Sequence, residues 1–303
     1  MRPLLPAFLS SLTLRAPART LARLRQVAGL RECTSAAATS PQLVPVTHAE
    51  SGEVYRVLRR SSRLLRPVPE REMTRLFRLT EWERHYQQAS TAAVRIAGVD
   101  EAGRGSLAGP VVAAACVLPE DVWIEGVNDS KLLSAEARDE LFAAICGPHS
   151  GIAVGVGIVE HDVIDTVNIL QATVLAIQKA VRAVPGAAPT RVLVDGLLPR
   201  ALIAADATTP ASPMVGIVQG DRLCMSIAAA SVVAKVTRDR LMEELDARYP
   251  GYEFAVNKGY PTPRHLELLS ALGPSPMHRR TYAPVKRWLE QQHVEGNGAS
   301  EEM

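Results

Sequence analysis

"VRIAGVDEAGRGSLAGPVVAAACVLP", Val94 to Pro119, places two apolar runs on either side of a glycine-rich turn. The first run ends in adjacent carboxylates, Asp100 and Glu101. The turn then leaves the backbone bare around Arg104, between Gly103 and Gly105. Short apolar runs bounded by glycine and proline read as two strands joined by a turn. Unpaired carboxylates at the end of a buried strand are costly to hold there, so they mark a place where charge is used.

The same ending recurs. "RVLVDG" runs into Asp195, and "MVGIVQGD" runs into Asp221. In an α/β sheet the carboxyl ends of strands are where sites assemble. Asp100, Asp195 and Asp221, with Glu101 beside the first, would repel one another and raise each other's pKa unless divalent cations neutralised them. An all-oxygen set suits a hard ion, Mg²⁺ or Mn²⁺, and two such ions support in-line displacement on a phosphodiester. The alternative is that each Asp is only a strand-end turn residue, as the Asp195-Gly196 pair invites. Gly103 and Gly105 let a substrate approach the backbone and free N–H groups for its oxygens. Alone, that loop is a weak signal and matches neither a Walker loop nor a dinucleotide fingerprint.

Further elements follow along the chain. "SAEARDELFAAICG" predicts a helix with Ser134 as N-cap and Gly147 just past its end. "GIAVGVGIVE" reads as a strand, and "DTVNILQATVLAIQKAVRAV" as one long helix. "SIAAASVVAKVTRDRLMEELDARY" predicts a long central helix, "TPRHLELLSALG" a shorter one starting at Thr262, and "PVKRWLEQQH" another. Residues 70–88 show Met73, Leu76, Phe77, Leu79 and Trp82 near a 3.6 period, a helix packing on the first core strand. The fold class is therefore α/β, a mixed sheet flanked by helices with a C-terminal helical region.

A chain of 303 residues with 47% hydrophobic and 22% charged residues fits one substantial core with appended segments. Four scattered cysteines, Cys33, Cys116, Cys146 and Cys224, show no zinc or disulfide spacing. No run of about 18 apolar residues marks a membrane span. Residues 1–90 carry 15 Arg against 7 acids, whereas the remainder carries 19 Lys and Arg against 25 acids. Nucleic-acid binding by the later region must therefore come from local patches. Residues 1–40 hold six Arg and one acid among Ser, Thr and Ala, the composition of an organelle transit peptide, mitochondrial with plastid as the alternative; the other reading is a disordered basic tail. Residues 41–68 read as an Arg/Pro-rich linker, 69–290 as the catalytic domain, and 291–303 as a disordered tail.

"IAGVDEAGRGSLAGPVVAAACVLP" resembles the opening motif of type 2 ribonucleases H, the ribonuclease HII family in its bacterial form. The likeness continues through "GVNDSKLLSAEARDELF", "NILQAT", "VLVDG", "GDRLCMSIAAASVVAKVTRDRLM", "YPGYEFAVNKGYPTPRHLELL" and "GPSPMHRRTYAPV", in the family's order. It implies a ribonuclease H-like fold and a metal-dependent endonuclease for the RNA strand of RNA–DNA hybrids. It also implies incision 5′ of ribonucleotides in duplex DNA, leaving 5′-phosphate and 3′-hydroxyl ends, in organelle DNA replication and repair. By the same resemblance Asp100, Glu101, Asp195 and Asp221 are the metal ligands. Gly103, Arg104, Gly105 and Tyr260 read the RNA–DNA junction. Lys131, Lys235, Lys258 and Arg279 hold phosphates. A monomer acting on nucleic acid, without a membrane, is the expected form. Ser106 stands where the family has Pro, Leu132 where it has a second Lys, and Gln219 where Lys is frequent. The two absent lysines bear on affinity rather than chemistry. A catalytically silent hybrid-binding protein would not need four acids, and a nucleotide-binding loop would need the Lys-Ser/Thr that is missing.

Overall fold

The computed structural model describes residues 42–49, 52–60, 66–197 and 212–298. In chain order, strands β1 (Gln42–Thr47) and β2 (Val54–Arg59) precede helices α1 (Glu70–Leu79) and α2 (Glu81–Gln88). Then come β3 (Ile96–Ala102), β4 (Val111–Val117), β5 (Val122–Ile124), a 3₁₀ turn at Ser130–Leu132, and α3 (Ala135–Cys146). β6 (Ala153–Val159), α4 (His161–Val167), α5 (Ile169–Ala183), β7 (Arg191–Asp195) and β8 (Met214–Ile217) follow. The chain continues with α6 (Gly220–Leu223), α7 (Met225–Arg248), α8 (Phe254–Asn257), α9 (Pro263–Leu272) and α10 (Ala283–Gly298).

Five strands form the main sheet in the order β6-β4-β3-β7-β8. The β6, β4 and β3 neighbours are antiparallel, and β3, β7 and β8 run parallel. This is the mixed α/β sheet expected from the sequence. Every residue of β4 is buried, and its alternation divides two cores. Ala114 and Cys116 face the core under α7, whereas Val111, Ala113, Ala115 and Val117 face the core under α5. The approach of α7 to β3 is close. A Cβ on Gly98 would meet the Ser226 backbone at 2.2 Å. Glu83 of α2 holds the start of α7, its Oε1 accepting from Ser226 N at 2.9 Å and Ser226 Oγ at 2.8 Å. Helix starts follow their predicted caps: Ser134 Oγ accepts from Ala137 N at 3.2 Å, and Thr262 Oγ1 accepts from His265 N at 3.1 Å.

Several boundaries differ from the sequence reading. The linker expected over 41–68 is structured where described. There β1 pairs antiparallel with β2, and β2 pairs parallel with β5. Tyr55 stacks on Trp123 at 3.9 Å, and Val57 and Leu58 are buried. Three arginines of this stretch are paired: Arg56 with Asp121 at the surface, Arg59 with Glu125 at 2.8 Å, and Arg60 with Glu140 at 3.4 Å. Pro45 is tolerated because β1 is an edge strand. The helix over 70–88 breaks at Thr80, whose Oγ1 donates to Phe77 O at 2.8 Å. The long helix over 165–184 breaks at Asn168, which adopts φ 70° and accepts from Gln171 N at 3.1 Å. The tail expected from 291 instead continues α10 to Gly298. The transit-peptide segment lies outside the described residues, and Cys116, Cys146 and Cys224 are free thiols. Among the described residues no helix is long and apolar enough to cross a membrane.

Candidate active site

Strand register brings together acids that are far apart in sequence. Val99 lies opposite Val194 in the parallel β3–β7 pair. The next residues, Asp100 and Asp195, therefore end side by side at the carboxyl edge of the sheet. Ile217 of β8 lies opposite Asp195. The chain then turns through Gln219, at φ 57°, into α6, which carries Asp221. Asp100, Asp195 and Asp221 each offer a carboxylate oxygen within 4.8 Å of the others. Asp221 N donates to Asp195 Oδ1 at 3.4 Å.

The electrostatics of this cluster follow from its geometry. Burial pushes the Asp100 carboxyl well above the usual range, and the charges of Glu101 and Asp195 add to it. The Glu101 N–H, at 2.7 Å from Asp100 Oδ1, and the Ser231 hydroxyl only partly offset this. Burial, then Asp195 and Asp129, push Asp221 up to about 6. Burial works against the charge of Lys131, but Asp129, Asp100, Asp221 and Asp195 outweigh it and raise its pKa. Three converging carboxylates, with Asp100 and Asp221 buried and raised and no nitrogen or sulfur among the ligand atoms, fit a hard divalent cation.

Glu101 does not join that trio. Adjacent side chains on a strand diverge, and Glu101 Oε1 sits 3.0 Å from Arg104 Nη1. Burial raises its pKa despite the Arg104 charge. It faces a cleft of about 410 Å³ lined by Asp100, Glu101, the Gly103–Gly105 turn, Lys131, Lys235 and Tyr260. The structure therefore gathers Asp100, Glu101, the turn and Tyr260 around one cavity, with Asp195 and Asp221 clustered on Asp100 and not among its lining residues. A larger cleft of about 920 Å³, beside Glu83 and Arg95, lies away from these residues.

Two of the expected phosphate holders are placed differently. Arg279 is 0% exposed. Its Nε donates to Gly109 O at 3.0 Å, Nη1 to Arg104 O at 3.0 Å and Tyr282 Oη at 2.9 Å, and Nη2 to Gly103 O at 2.7 Å and Gly109 O at 2.9 Å. A guanidinium has five N–H donors, and all five are used inside the protein, so none is left for a phosphate. Lys258 Nζ is engaged by Glu243 Oε1 at 2.7 Å and is not among the cleft-lining residues. Lys131 and Lys235 do line the cleft, although Lys235 Nζ also pairs with Asp239 at 2.8 Å.

Arg238 is the bracing residue that the sequence reading missed. It is also 0% exposed, and donates to Pro110 O at 3.0 Å, Lys258 O at 2.8 Å, Ser106 Oγ at 2.8 Å and Ala108 O at 3.2 Å. A signal for it existed. Ala234, Arg238 and Met242 recur every four residues on the buried face of α7. Gly103 is needed twice over, since its φ is 94° and a Cβ there would meet Arg238 Nε at 2.0 Å. Ser106, a departure from the family pattern, supplies a buried hydroxyl to Arg238, whereas Leu132 and Gln219 are exposed.

Comparison with known proteins agrees with this geometry. The family described as Ribonuclease HII matches residues 97–285. A Ribonuclease HII from Geobacter sulfurreducens is 49% identical over 208 residues, covering 69% of this chain and 91% of the relative. One from Geobacillus thermodenitrificans is 44% identical over 258 residues, covering 82% and 94%. The crystal structure of the ribonuclease H2 from Pyrococcus horikoshii OT3 superposes with a TM-score of 0.53 at 30% identity, over 65% of this chain and 98% of that one. Fold and site together define a ribonuclease of the H type, a hydrolase dependent on a divalent metal. The chain belongs to the ribonuclease HII family. Its activity is that of an endonuclease on RNA–DNA hybrids.

Proposed function

We propose that the protein incises on the 5′ side of ribonucleotides embedded in duplex DNA, as well as within hybrids, leaving 5′-phosphate and 3′-hydroxyl ends. The observation that carries this reading is the shared cleft: the Asp100 carboxylate, the bare Gly103–Gly105 turn and Tyr260 line one cavity. Asp100, Asp195 and Asp221, with Glu101 beside them, would hold Mg²⁺ or Mn²⁺. The ion supplies charge neutralisation at the scissile phosphate and a water of lowered pKa. The turn offers backbone groups to a ribose 2′-OH, the atom that distinguishes RNA from DNA. The Tyr260 ring offers a flat face for the next sugar, with Lys235 Nζ at 5.9 Å and Arg238 Cζ at 5.2 Å from its centroid. Lys131 and Lys235 would hold flanking phosphates. Working as a monomer, the enzyme would remove ribonucleotides and primers from mitochondrial DNA.

The test is a duplex with one ribonucleotide, incubated with the purified protein with and without Mg²⁺, and the product ends mapped. An intact strand, or a cut with a 3′-phosphate, rejects the reading. Residues 1–50 fused to a fluorescent protein should enter mitochondria, and a diffuse cytosolic signal rejects the organelle role.

A further inference from the structure

Two buried histidines connect the turn to the tyrosine. His265 and His278 are 0% and 1% exposed, and their Nε2 atoms lie 3.1 Å apart. His265 sits in the first turn of α9, with its Nδ1 2.9 Å from the carbonyl of Tyr260. His278 lies on the segment bridged to Ala108, where Gly109 N donates to Met277 O at 3.0 Å and Arg279 N donates to Leu107 O at 2.7 Å. One ring therefore belongs to the Tyr260 side and the other to the strand-like stretch just beyond the Gly103–Gly105 turn. Phe254 packs on both rings, at 5.6 Å from each, and Tyr252 lies 5.1 Å from His278.

The direction of every hydrogen bond in this chain can be derived. Ser275 N–H, which can only donate, lies 2.9 Å from His278 Nδ1, so that nitrogen carries no proton. Ser275 Oγ, 2.8 Å from the same nitrogen, is compatible as a second donor. A neutral His278 then carries its proton on Nε2 and donates to His265 Nε2. His265 must in turn carry its proton on Nδ1, facing the Tyr260 carbonyl, which can only accept. The opposite direction fails at both ends, and protonating either ring would set two N–H groups against each other. Burial keeps both rings neutral, lowering the pKa of His265 and bringing His278 down to about 3.

We propose that His278 and His265 form a one-way hydrogen-bond relay that fixes Tyr260 relative to the Gly103–Gly105 turn and so sets selection of the RNA–DNA junction. They are positioning residues, and their effect on selection rests on the junction reading proposed above. Arg238 and the Leu107 N to Gly259 O bond, at 2.7 Å, tie the same two segments at other points. Arg238 also lies 5.2 Å from the Tyr260 ring centroid, whereas the histidine relay ends in a hydrogen bond on the Tyr260 backbone carbonyl.

The first measurement reads the relay without any activity. In ¹⁵N-histidine-labelled full-length protein at neutral pH, long-range ¹H–¹⁵N spectra should show His265 as the Nδ1–H tautomer and His278 as the Nε2–H tautomer. His265 as Nε2–H, the form favoured by free histidine, overturns the relay. The second measurement compares His265→Ala with His265→Asn, whose amide nitrogen can stand near the Nδ1 position. His265→Ala should raise KM for the single-ribonucleotide duplex about 5- to 10-fold, the effect of one lost hydrogen bond, with kcat changed less than about 2-fold. His265→Asn should return KM to within about 2-fold of wild type. An Asn variant as impaired as Ala, or equal losses on the duplex and a long hybrid, removes the selective role. If the Ala variant does not fold, the wild-type spectrum and the Asn variant still decide. A wild type that cuts hybrids but not the single-ribonucleotide duplex rejects the junction reading and the selective role, while the spectrum separately decides the relay.

Discussion

At the acidic end, two carboxylates from neighbouring strands and a third from the short helix after β8 converge and repel one another. At the turn end, one short segment is held by two buried arginines whose guanidinium donors point at backbone carbonyls and hydroxyls. The first region is incomplete as a set of protein groups and asks for a cation. The second is complete without a ligand, and its shape is available before substrate arrives. Chemistry and reading are thus built separately: a frustrated cluster that a metal relieves, and a satisfied network that pre-organises a surface.

The largest effect should come from breaking the acidic end. Asp100→Asn or Asp195→Asn should lower hybrid cleavage by more than about 100-fold, since even outer partners of metal ligands cost 10- to 100-fold. Near-normal turnover in Mg²⁺ by either variant would contradict the carboxylate site. At the reading end, Tyr260→Ala should lose on the order of 10-fold more kcat/KM on a single ribonucleotide than on a long hybrid, the value of one stacking contact. Equal losses would mean that the ring is only structural.

Arg279→Lys and Lys131→Ala sharpen the contrast between a brace and a phosphate contact. Lysine cannot reproduce the five bonds of the guanidinium. Arg279→Lys should therefore cost about 2–3 kcal/mol in denaturant unfolding, on the scale of one or two charge-assisted bonds, with the salt dependence of binding unchanged. Lys131→Ala should leave stability alone and reduce the salt slope of binding by about 1. The opposite pattern would reverse the two assignments.

The smallest effect is in the metal-free protein. Asp221 titrates near 6 in the folded chain against an ordinary 3.8, so the fold binds its proton more tightly than the unfolded chain does. The stability this provides is complete below about pH 4 and is lost as pH rises through 6, and raised values at Asp100 and Glu101 act in the same direction. Calorimetry in chelator should show the unfolding midpoint falling across that window, with Mg²⁺ restoring it at neutral pH. A flat profile would mean that the cluster is not strained.

The acidic end was legible in the sequence because each acid follows an apolar run, and strand ends converge in an α/β sheet. The divergence of Glu101 from Asp100 was legible too, since neighbours on a strand point apart; that Glu101 turns to Arg104 was not. The reading end was legible only where glycines and Tyr260 carry a motif. Arg279 looked like a phosphate ligand because an arginine's sequence surroundings do not reveal whether its partners are phosphates or carbonyls 170 residues away. Arg238 was passed over inside a helix of small residues, and the His265–His278 contact joins residues whose pairing no local pattern announces. The β1–β2 hairpin was read as linker because proline and arginine outweighed the alternation in "VYRVL", and its partner β5 is only three residues long.

That hairpin sets a limit on truncation from the N-terminus. Tyr55 covers one face of Trp123, and β2 supplies β5 with its neighbouring strand. An N-terminal truncation that keeps this sheet whole must therefore stop before Gln42. A cut a few residues later would strip β1 from the edge, and a cut past Arg59 would leave a fully buried tryptophan exposed to water. How far the N-terminus can be shortened is thus set by the fold that follows it.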